Sequence, residues 1–372
     1  CSWMMSPHST PTLLVPLKKL GSGHSPRLCT PKTNVMFLKT HKTASGTIMN
    51  LVYRFGVKHN LTFALPKEQH FEYPKLFHSR MVKGFSEQSG QHYNMMCSHM
   101  KFNRPEVQKV MPADTFYISI LRHPVSLAES SFNFFKSLAP AFKRSPTFED
   151  FIANPWKYYV PHLPLNNLAR NMLWFDFGFD HNAKFSLQSA QSVVAEIQQT
   201  FHLILLADYF DQSMVLLRDA LCWSLDDVVT FKINARTNAK PKCLSPAQEE
   251  KLKKWNALDW YLYQSFNKTF WKKVERFGKR RMDKEVAILQ ARREELQNLC
   301  LLKGGKPPKV KQSLGQGVQR CQTGHVTMLR YTLNSNLRPS DKELCSRMVR
   351  EGYQYTDLMP PCQGCPQLGP YQ

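Results

Sequence analysis

A turn of small and hydroxyl-bearing residues around a lysine is the stretch of this sequence best suited to chemistry. It has the sequence LKTHKTASGT over residues 38–47 and lies between a short apolar run and a helical pattern. Backbone N–H groups at the start of a helix carry a partial positive charge, and small side chains let an anion reach them. Lys42 adds a mobile positive charge. The turn therefore predicts a phosphate-binding site with five further candidate contacts: Thr43, Ala44, Ser45, Gly46 and Thr47.

Composition alone leaves a second interpretation of this turn open, an ordinary helix start with a solvated lysine. The Walker A pattern G-x-x-x-x-G-K-[ST] occurs nowhere in the sequence, which disfavours a kinase or an ATPase. No G-x-G-x-x-G follows a strand candidate either, so a nicotinamide or flavin enzyme has no support.

A second candidate anion contact follows another apolar run. Arg122 comes directly after the run TFYISIL at 115–121, and Ser130 follows eight residues later, about two helical turns on. Open α/β sheets bind ligands at the carboxyl ends of their parallel strands, so Arg122 and Ser130 are placed to hold a second phosphate. An arginine and a serine at this spacing are common, and a purely structural role for both is the open alternative.

A scaffold of alternating strands and helices must position these residues. Three apolar runs, at 34–38, 115–121 and 203–206, have the length of strands buried on both faces. Helical spacing follows the first two runs, and Asp211 is a plausible cap for a helix from Met214 to Trp223. This alternation predicts an α/β fold with a central parallel sheet flanked by helices.

Composition divides the chain into three parts. Residues 1–33 carry five prolines among Ser, Thr and Gly and predict a stem or linker. Residues 34–300 carry the motifs; a capping box at 245–248 opens a helix through Trp255, and a further helix is expected over 271–299. Residues 301–372 are basic, contain Gly and Pro, and predict a loosely ordered tail. Within that tail, Cys362-x-x-Cys365 is only a weak zinc candidate, because no second pair or histidine lies nearby.

The charge balance predicts an anionic partner. The chain has 372 residues with 50 Lys and Arg against 28 Asp and Glu, a net charge of +22. A phosphorylated nucleotide, a nucleic acid, or an anionic membrane or glycan surface would each satisfy it. No run of about 18 to 20 uncharged apolar residues occurs, and the chain begins at Cys1, so we expect a missing upstream segment. Glycosylation sequons at Asn60 and Asn267 modestly favour a secretory compartment.

Taken together, these features resemble the galactose 3-O-sulfotransferases, a branch of the sulfotransferase superfamily. Seven strings between residues 34 and 300 carry the resemblance in the family's order: LKTHKTAS (38–45), CSHM (97–100), LRHP (121–124), ESSF (129–132), FHL (201–203), DYFD (208–211) and FKINAR (231–236). Each fragment alone is unspecific, whereas their combination is specific.

The resemblance implies a P-loop-like sulfotransferase fold and a donor, 3′-phosphoadenosine 5′-phosphosulfate. The turn at 38–47 would hold the 5′-phosphate mainly through backbone N–H groups, and Lys42 would stabilise charge on the oxygen that bridges phosphate and sulfate. Arg122 and Ser130 would hold the 3′-phosphate. Lys39 is a candidate for the sulfuryl oxygens and Arg236 a weaker donor contact. No metal is expected to be required, because lysine and backbone dipoles supply the electrostatic stabilisation.

The implied acceptor is the 3-hydroxyl of a terminal β-galactose on a glycoprotein, an oligosaccharide or a glycolipid. A sugar hydroxyl needs a general base, and His41 and His99 both lie in matched strings, which leaves the choice between them open. Three aromatic residues are candidates to stack on sugar rings or to be core: Trp156, Tyr158 and Trp174.

Relatives of this kind are Golgi enzymes with a lumenal catalytic domain and one N-terminal membrane anchor, which would lie upstream of Cys1. We therefore expect membrane association through that anchor and no nucleic-acid partner; the oligomeric state stays open. The alternative is a catalytically inert basic protein that binds polyanions or glycans on a relic nucleotide fold. Its signature would be basic and aromatic clusters without an intact donor site.

Overall fold

Five short strands form the centre of the molecule: Val35–Leu38 (β1), Phe63–Ala64 (β2), Met95–Met96 (β3), Phe116–Leu121 (β4) and Leu203–Leu206 (β5). The structure, a computed structural model, describes residues 29–231, 244–305 and 331–359. All neighbouring strands are parallel, in the order β2-β3-β1-β4-β5. The predicted α/β fold with a central parallel sheet flanked by helices is confirmed.

Helices cover both ends and faces of this sheet. In the described residues the α-helices are Ser45–Lys58 (α1), Arg104–Val110 (α2), Pro124–Phe135 (α3), Pro140–Arg144 (α4), Phe148–Ala153 (α5), Met172–Asp176 (α6), Leu187–Thr200 (α7), Phe210–Leu221 (α8), Leu225–Val228 (α9), Pro246–Trp255 (α10), Ala257–Phe277 (α11), Lys279–Cys300 (α12), Pro339–Val349 (α13) and Gly352–Leu358 (α14).

The three predicted strands are the three longest strands of the sheet. Every residue of β1 and β5 is buried, because helices pack on both faces of a parallel sheet. β2 and β3 were not predicted, since each has only two residues and leaves no apolar run in the sequence. They extend the sheet on the side of β1 opposite to β4.

The local helix signals were accurate at the capping box and inaccurate at two other helices. The Ser245 hydroxyl accepts a hydrogen bond from the backbone of Gln248, so the predicted capping box is confirmed. The helix predicted from Met214 begins four residues earlier, at Phe210. The helix predicted over 271–299 is in fact the end of α11 and all of α12, separated by Gly278, whose φ of 97° interrupts the helical path.

Part of the predicted C-terminal tail is a packed element, which corrects the expectation of loose order for residues 331–359. α13 and α14 lie on α1, where the Tyr355 ring stacks on Tyr53 at 5.1 Å. The side-chain amide of Asn50 donates to two carbonyls of this segment, at 2.9 and 2.8 Å. Few apolar residues make these contacts, so the apolar pattern in the sequence was too weak to predict a packed segment here. The candidate zinc pair Cys362 and Cys365 lies outside the described residues.

The end of the predicted stem is attached to the domain. Cys29 forms a disulfide with Cys222, and the backbone N–H of Lys32 donates to the Leu221 carbonyl at 2.9 Å. Residues 1–28 lie outside the described residues. No helix that the structure describes is long and apolar enough to cross a membrane.

A second disulfide, between Cys300 and Cys345, links α12 to α13 and so fixes the segment that covers α1. Its 45-residue separation corresponds to a stabilisation of about 4 kcal/mol by loop-closure entropy. We expect Cys345→Ser to lower the free energy of unfolding by about that amount in denaturant titrations. Cys300→Ser and the double variant should show the same loss, because all three break one bond; additive losses would contradict this role.

Candidate active site

The predicted phosphate-binding turn connects β1 to α1 at the carboxyl edge of the sheet. The Thr40 hydroxyl donates to the Ile120 carbonyl of β4 at 2.5 Å, which fixes the turn to the neighbouring strand. The hydroxyls of Thr43 and Ser45 both donate to the Thr40 carbonyl, at 3.2 and 2.5 Å. These hydroxyls therefore brace the turn from within.

The backbone of the turn is strained in the way expected of an anion cradle. Lys42 and Ala44 both have positive φ, 57° and 61°, which side-chain-bearing residues rarely adopt. The N terminus of α1 has no side-chain cap and no acidic residue in its first turn. Its positive end is therefore compensated neither by a carboxylate nor by a cap, and it is suited to bind an anion.

The second predicted phosphate contact converges on the same turn. The Arg122 guanidinium donates to the Lys42 carbonyl at 3.1 Å, so two residues 80 apart in sequence meet here. The Lys42 ammonium lies 3.5 Å from the ring centroid of Phe134, on the face of α3 that also carries Ser130 one turn earlier. Ser130 is buried, and its hydroxyl makes no hydrogen bond to the residues that the structure describes.

A buried carboxylate that sequence reasoning missed holds His41. Asp176, the last residue of α6, is fully buried. One of its oxygens accepts a hydrogen bond from the His41 backbone N–H at 2.9 Å, and both lie about 3 Å from Nδ1 (3.1 and 3.0 Å). Because a carboxylate only accepts, Nδ1 carries the proton and Nε2 carries the lone pair. The arrangement presents His41 as a base at Nε2.

Tyr73 and Asn167 complete this network and were also missed. The Tyr73 hydroxyl donates to Asp176 at 3.0 Å and accepts from the Asn167 amide at 2.5 Å. Burial, followed by the Asp176 charge, raises the pKa of Tyr73 well above its ordinary value, so the phenol stays protonated and donates. One feature of the sequence could have identified Asp176. It lies between two phenylalanines, Phe175 and Phe177, and a carboxylate buried among them needs hydrogen-bond partners.

The start of α6 is fixed as firmly as its end. Asp259 of α11 is buried and accepts hydrogen bonds from the backbone N–H groups of Leu173 and Trp174, at 3.1 and 2.8 Å. Burial, with the Asp176 charge nearby, raises the pKa of Asp259 to about 7. The five-residue helix that carries Asp176 is thereby held at both ends.

His99 has a different environment from that of His41. Its Nδ1 lies 2.9 Å from the Lys39 carbonyl and its Nε2 lies 2.5 Å from the Lys39 ammonium. The carbonyl can only accept and the ammonium can only donate. His99 is therefore neutral, with its proton on Nδ1 and with the lone pair of Nε2 accepting from the ammonium. Burial, then the nearby His41 and Lys39, lowers the pKa of His99 well below its ordinary value.

This lowered pKa predicts acid sensitivity. Below a pH of about 6.5 the unfolded chain protonates His99 more readily than the folded chain does, so stability falls as the pH decreases from there. We expect the melting temperature to fall between pH 7.5 and 5.5, and His99→Gln to reduce that fall. Asp259 acts in the opposite direction, but it contributes equally to both proteins. An unchanged pH dependence in the variant would contradict a neutral, buried His99.

The two histidines stack on each other beside the turn. Their ring centroids are 3.9 Å apart with planes 12° from parallel, and the Tyr73 ring lies 4.5 Å from that of His41. Two adjacent imidazolium ions would repel, and this repulsion adds to burial in lowering the pKa of His99. The structure thus brings together the predicted residues His41, Lys42, His99 and Lys39.

The remaining sequence candidates lie elsewhere. Arg236 is outside the described residues. Trp174 and Tyr158 are core residues at 3% and 8% exposure, whereas Trp156 is 57% exposed. Cys97 is buried, and burial raises the pKa of its thiol to about 12, so it is not a reactive thiolate. No cluster of three or more potential metal ligands was found in the part of the chain that the structure describes.

Comparisons with known proteins relate the whole chain to one family. A family model described as Galactose-3-O-sulfotransferase matches residues 4–360. Galactose-3-O-sulfotransferase 2 of Mus musculus is 46% identical over 331 residues, which cover 87% of this chain and 84% of that protein. Galactosylceramide sulfotransferase of Homo sapiens is 37% identical over 351 residues, 93% of this chain and 82% of that protein. Galactose-3-O-sulfotransferase 4 of Homo sapiens is 36% identical over 404 residues, with coverage of 89% and 83%.

Proposed function

The chain belongs to the galactose-3-O-sulfotransferase family and is a sulfotransferase, and we propose that it transfers a sulfuryl group from 3′-phosphoadenosine 5′-phosphosulfate to the 3-hydroxyl of a terminal β-galactose. The family resemblance predicted from seven short strings is confirmed. The acceptor is a galactose-terminated glycan or glycolipid, in keeping with the names of the relatives.

One observation carries the proposal. Three features meet at one edge of the sheet: the phosphate-binding turn after β1, Arg122 after β4 and His99 after β3. His41 and the buried carboxylate of Asp176 lie between them. Sulfuryl transfer to a hydroxyl requires a base, a positively charged binding site for the donor and an adjacent lysine. The inert-protein alternative predicted an incomplete donor site, and the assembled geometry does not favour it.

The residues present fit a donor with phosphates at two ends. The uncapped start of α1 and Lys42 suit the 5′-phosphosulfate, and Arg122 with the unpartnered Ser130 hydroxyl suits the 3′-phosphate. When bound, the donor supplies an electrophilic sulfuryl group and a nucleotide leaving group.

The chain's own residues then have distinct roles in the proposal. His41 accepts the proton of the acceptor hydroxyl at Nε2, and Asp176 holds the ring and stabilises the imidazolium that forms. Lys42 stabilises the negative charge that develops on the leaving side. His99 keeps Lys39 beside the histidine pair, within reach of a sulfuryl group.

The direct test is incubation with labelled sulfate donor and a panel of galactosides from oligosaccharides, glycoproteins and glycolipids. We expect label at the 3-position of terminal β-galactose, and none on acceptors in which that hydroxyl is missing. Absence of transfer to every galactoside would refute the proposal, whereas transfer of phosphate from ATP would assign another activity.

Arg122 should set donor specificity. We expect Arg122→Ala to weaken binding of 3′-phosphoadenosine 5′-phosphate by about 10- to 100-fold, because a charge-assisted hydrogen bond to the 3′-phosphate is lost. Its binding of ADP, which has no 3′-phosphate, should change little. Calorimetric titration with both nucleotides measures this; equal losses for the two would place Arg122 away from the 3′-phosphate.

We further propose that the protein is a Golgi enzyme with a lumenal catalytic domain and an N-terminal anchor upstream of Cys1. Asn60 supports this placement, since it is exposed at the end of α1 with a φ of 53°. Asn267 lies within α11, and its side-chain oxygen is buried without a hydrogen-bond partner among the described residues. A glycosidase-sensitive mass shift that Asn60→Gln abolishes would support it; a secreted chain without glycan would contradict it.

A further inference from the structure

A cavity of about 320 Å³ lies in the segment that follows β2. Lys67, Glu68, His70, Glu72 and Met81 line it. This volume is at the lower end of the roughly 300 to 1,000 Å³ of small-molecule sites, so it suits a single compact ligand. None of the residues assigned above to the donor or to the proton transfer lines it.

Sheet topology separates this cavity from the proposed donor contacts. In the order β2-β3-β1-β4-β5, the donor contacts follow β1 and β4. The cavity segment follows β2 at the other end, with β3, and the His99 that follows it, between them. A ligand in the cavity and a nucleotide on the donor contacts would therefore lie on different sides of His99 in the strand order.

Direct contacts join the cavity wall to the reacting groups. The backbone N–H of Phe71 donates to the His99 carbonyl at 3.0 Å, and the Tyr73 ring lies 4.5 Å from the His41 ring. His70 accepts from the Tyr73 backbone N–H at Nδ1, at 3.1 Å. In this short stretch, His70 and Glu72 therefore line the cavity, and the alternate residues Phe71 and Tyr73 contact the histidine pair.

The cavity carries side chains of both charges. Glu68 and Glu72 stand against Lys67, and the Glu72 carboxylate also pairs with the Lys75 ammonium at 3.0 Å. Carboxylates accept hydrogen bonds from hydroxyl groups. The Glu72 backbone is held at a φ of 44° by a hydrogen bond from its N–H to the His70 carbonyl at 2.8 Å, which fixes where its side chain starts.

We propose that this cavity is the acceptor subsite, in which Glu68 and Glu72 accept hydrogen bonds from hydroxyls of the galactoside other than the one that reacts. The inference rests on the proposed function. It adds the side of entry and the residues that recognise the sugar.

The test is steady-state kinetics of the full chain with a neutral β-galactoside and saturating donor. We expect Glu68→Gln with Glu72→Gln to raise KM for the acceptor at least about tenfold and to leave kcat within about twofold, because the lost interactions are made equally before and during transfer. Affinity for 3′-phosphoadenosine 5′-phosphate should stay unchanged. Glu275→Gln with Glu294→Gln, which changes exposed acids on α11 and α12, is the charge-matched control and should have no effect.

The outcomes separate the subsite from the proposed function. If the wild type transfers no sulfate to galactosides, the proposed function fails. If the wild type is active and the double variant keeps its KM, or loses nucleotide affinity together with KM, the cavity is not the acceptor subsite. Galactosides that lack single hydroxyls should lose affinity for the wild type but not for the double variant, and equal losses in both would also overturn the assignment.

Discussion

Replacing His41 by alanine is expected to lower kcat by about 100- to 10,000-fold, the usual contribution of a positioned general base. Nε2 of His41 is the imidazole nitrogen beside the turn whose lone pair the structure leaves available, because Nδ1 donates to Asp176 and Nε2 of His99 faces Lys39. Affinity for 3′-phosphoadenosine 5′-phosphate should stay within about twofold, since in the proposed mechanism His41 contacts the acceptor and not the nucleotide. Single-turnover transfer and nucleotide titration measure the two effects separately.

Two variants control this assignment. Asp176→Asn keeps the shape of the side chain but offers an N–H₂ to Nδ1, which moves the ring proton to Nε2 and removes the lone pair. We expect it to lose nearly as much kcat as His41→Ala, and the double variant to lose no more than either alone. His99→Ala should cost far less. The reverse result, with His99→Ala inactive and His41→Ala near normal, would make His99 the base.

The sequence predicted which residues meet but not what holds them. Lys42 and Arg122 each follow a predicted strand, and parallel strands end at one edge, so their convergence could be predicted. His99 follows β3, a two-residue strand that gave no signal, so its place in the site was implied only by the family resemblance.

The carboxylate behind His41 could not be predicted from sequence patterns. Asp176 lies 135 residues from its partner, on a five-residue helix whose position depends on contacts with α11. Periodicity identifies which side chains are buried; it does not identify which buried polar groups meet. The sequence shows only that an acid, Asp176, lies in an aromatic stretch. The tertiary structure shows that Tyr73 and His41 both form hydrogen bonds with it.

Only a small part of the positive charge that first indicated an anionic partner lies at the proposed donor site, in Lys42, Arg122 and Lys39. Other basic residues are neutralised in ion pairs and add nothing to the net charge. On α12, three arginines form ion pairs with aspartates of the α8–α9 region: Arg281 with Asp219, Arg292 with Asp226 and Arg293 with Asp211. Those charges attach a long helix to the domain, and exposed pairs of this kind contribute little individually.

Lys42 should be as important to turnover as His41. Its ammonium lies over the Phe134 ring, and the residue belongs to the turn that leads into the uncapped start of α1, where the proposal places the leaving side of the donor. Removing one preorganised charge at the point where charge develops usually costs about 100- to 1,000-fold in kcat, and we expect that loss in Lys42→Ala. Because the positive φ of Lys42 belongs to the turn, melting temperatures must be compared first.

The matched variants for Lys42 are Lys42→Arg and Lys39→Ala. Arginine keeps the charge but spreads it over a planar group that cannot act as a point charge, so recovery should be partial. Lys39→Ala removes a charge from the same turn, and we expect a smaller loss because Lys39 faces His99. If Lys42→Ala retained turnover but lost nucleotide affinity, Lys42 would bind the donor without stabilising the transition state, and the charge on the leaving group would have to be met by Arg122 and the start of α1.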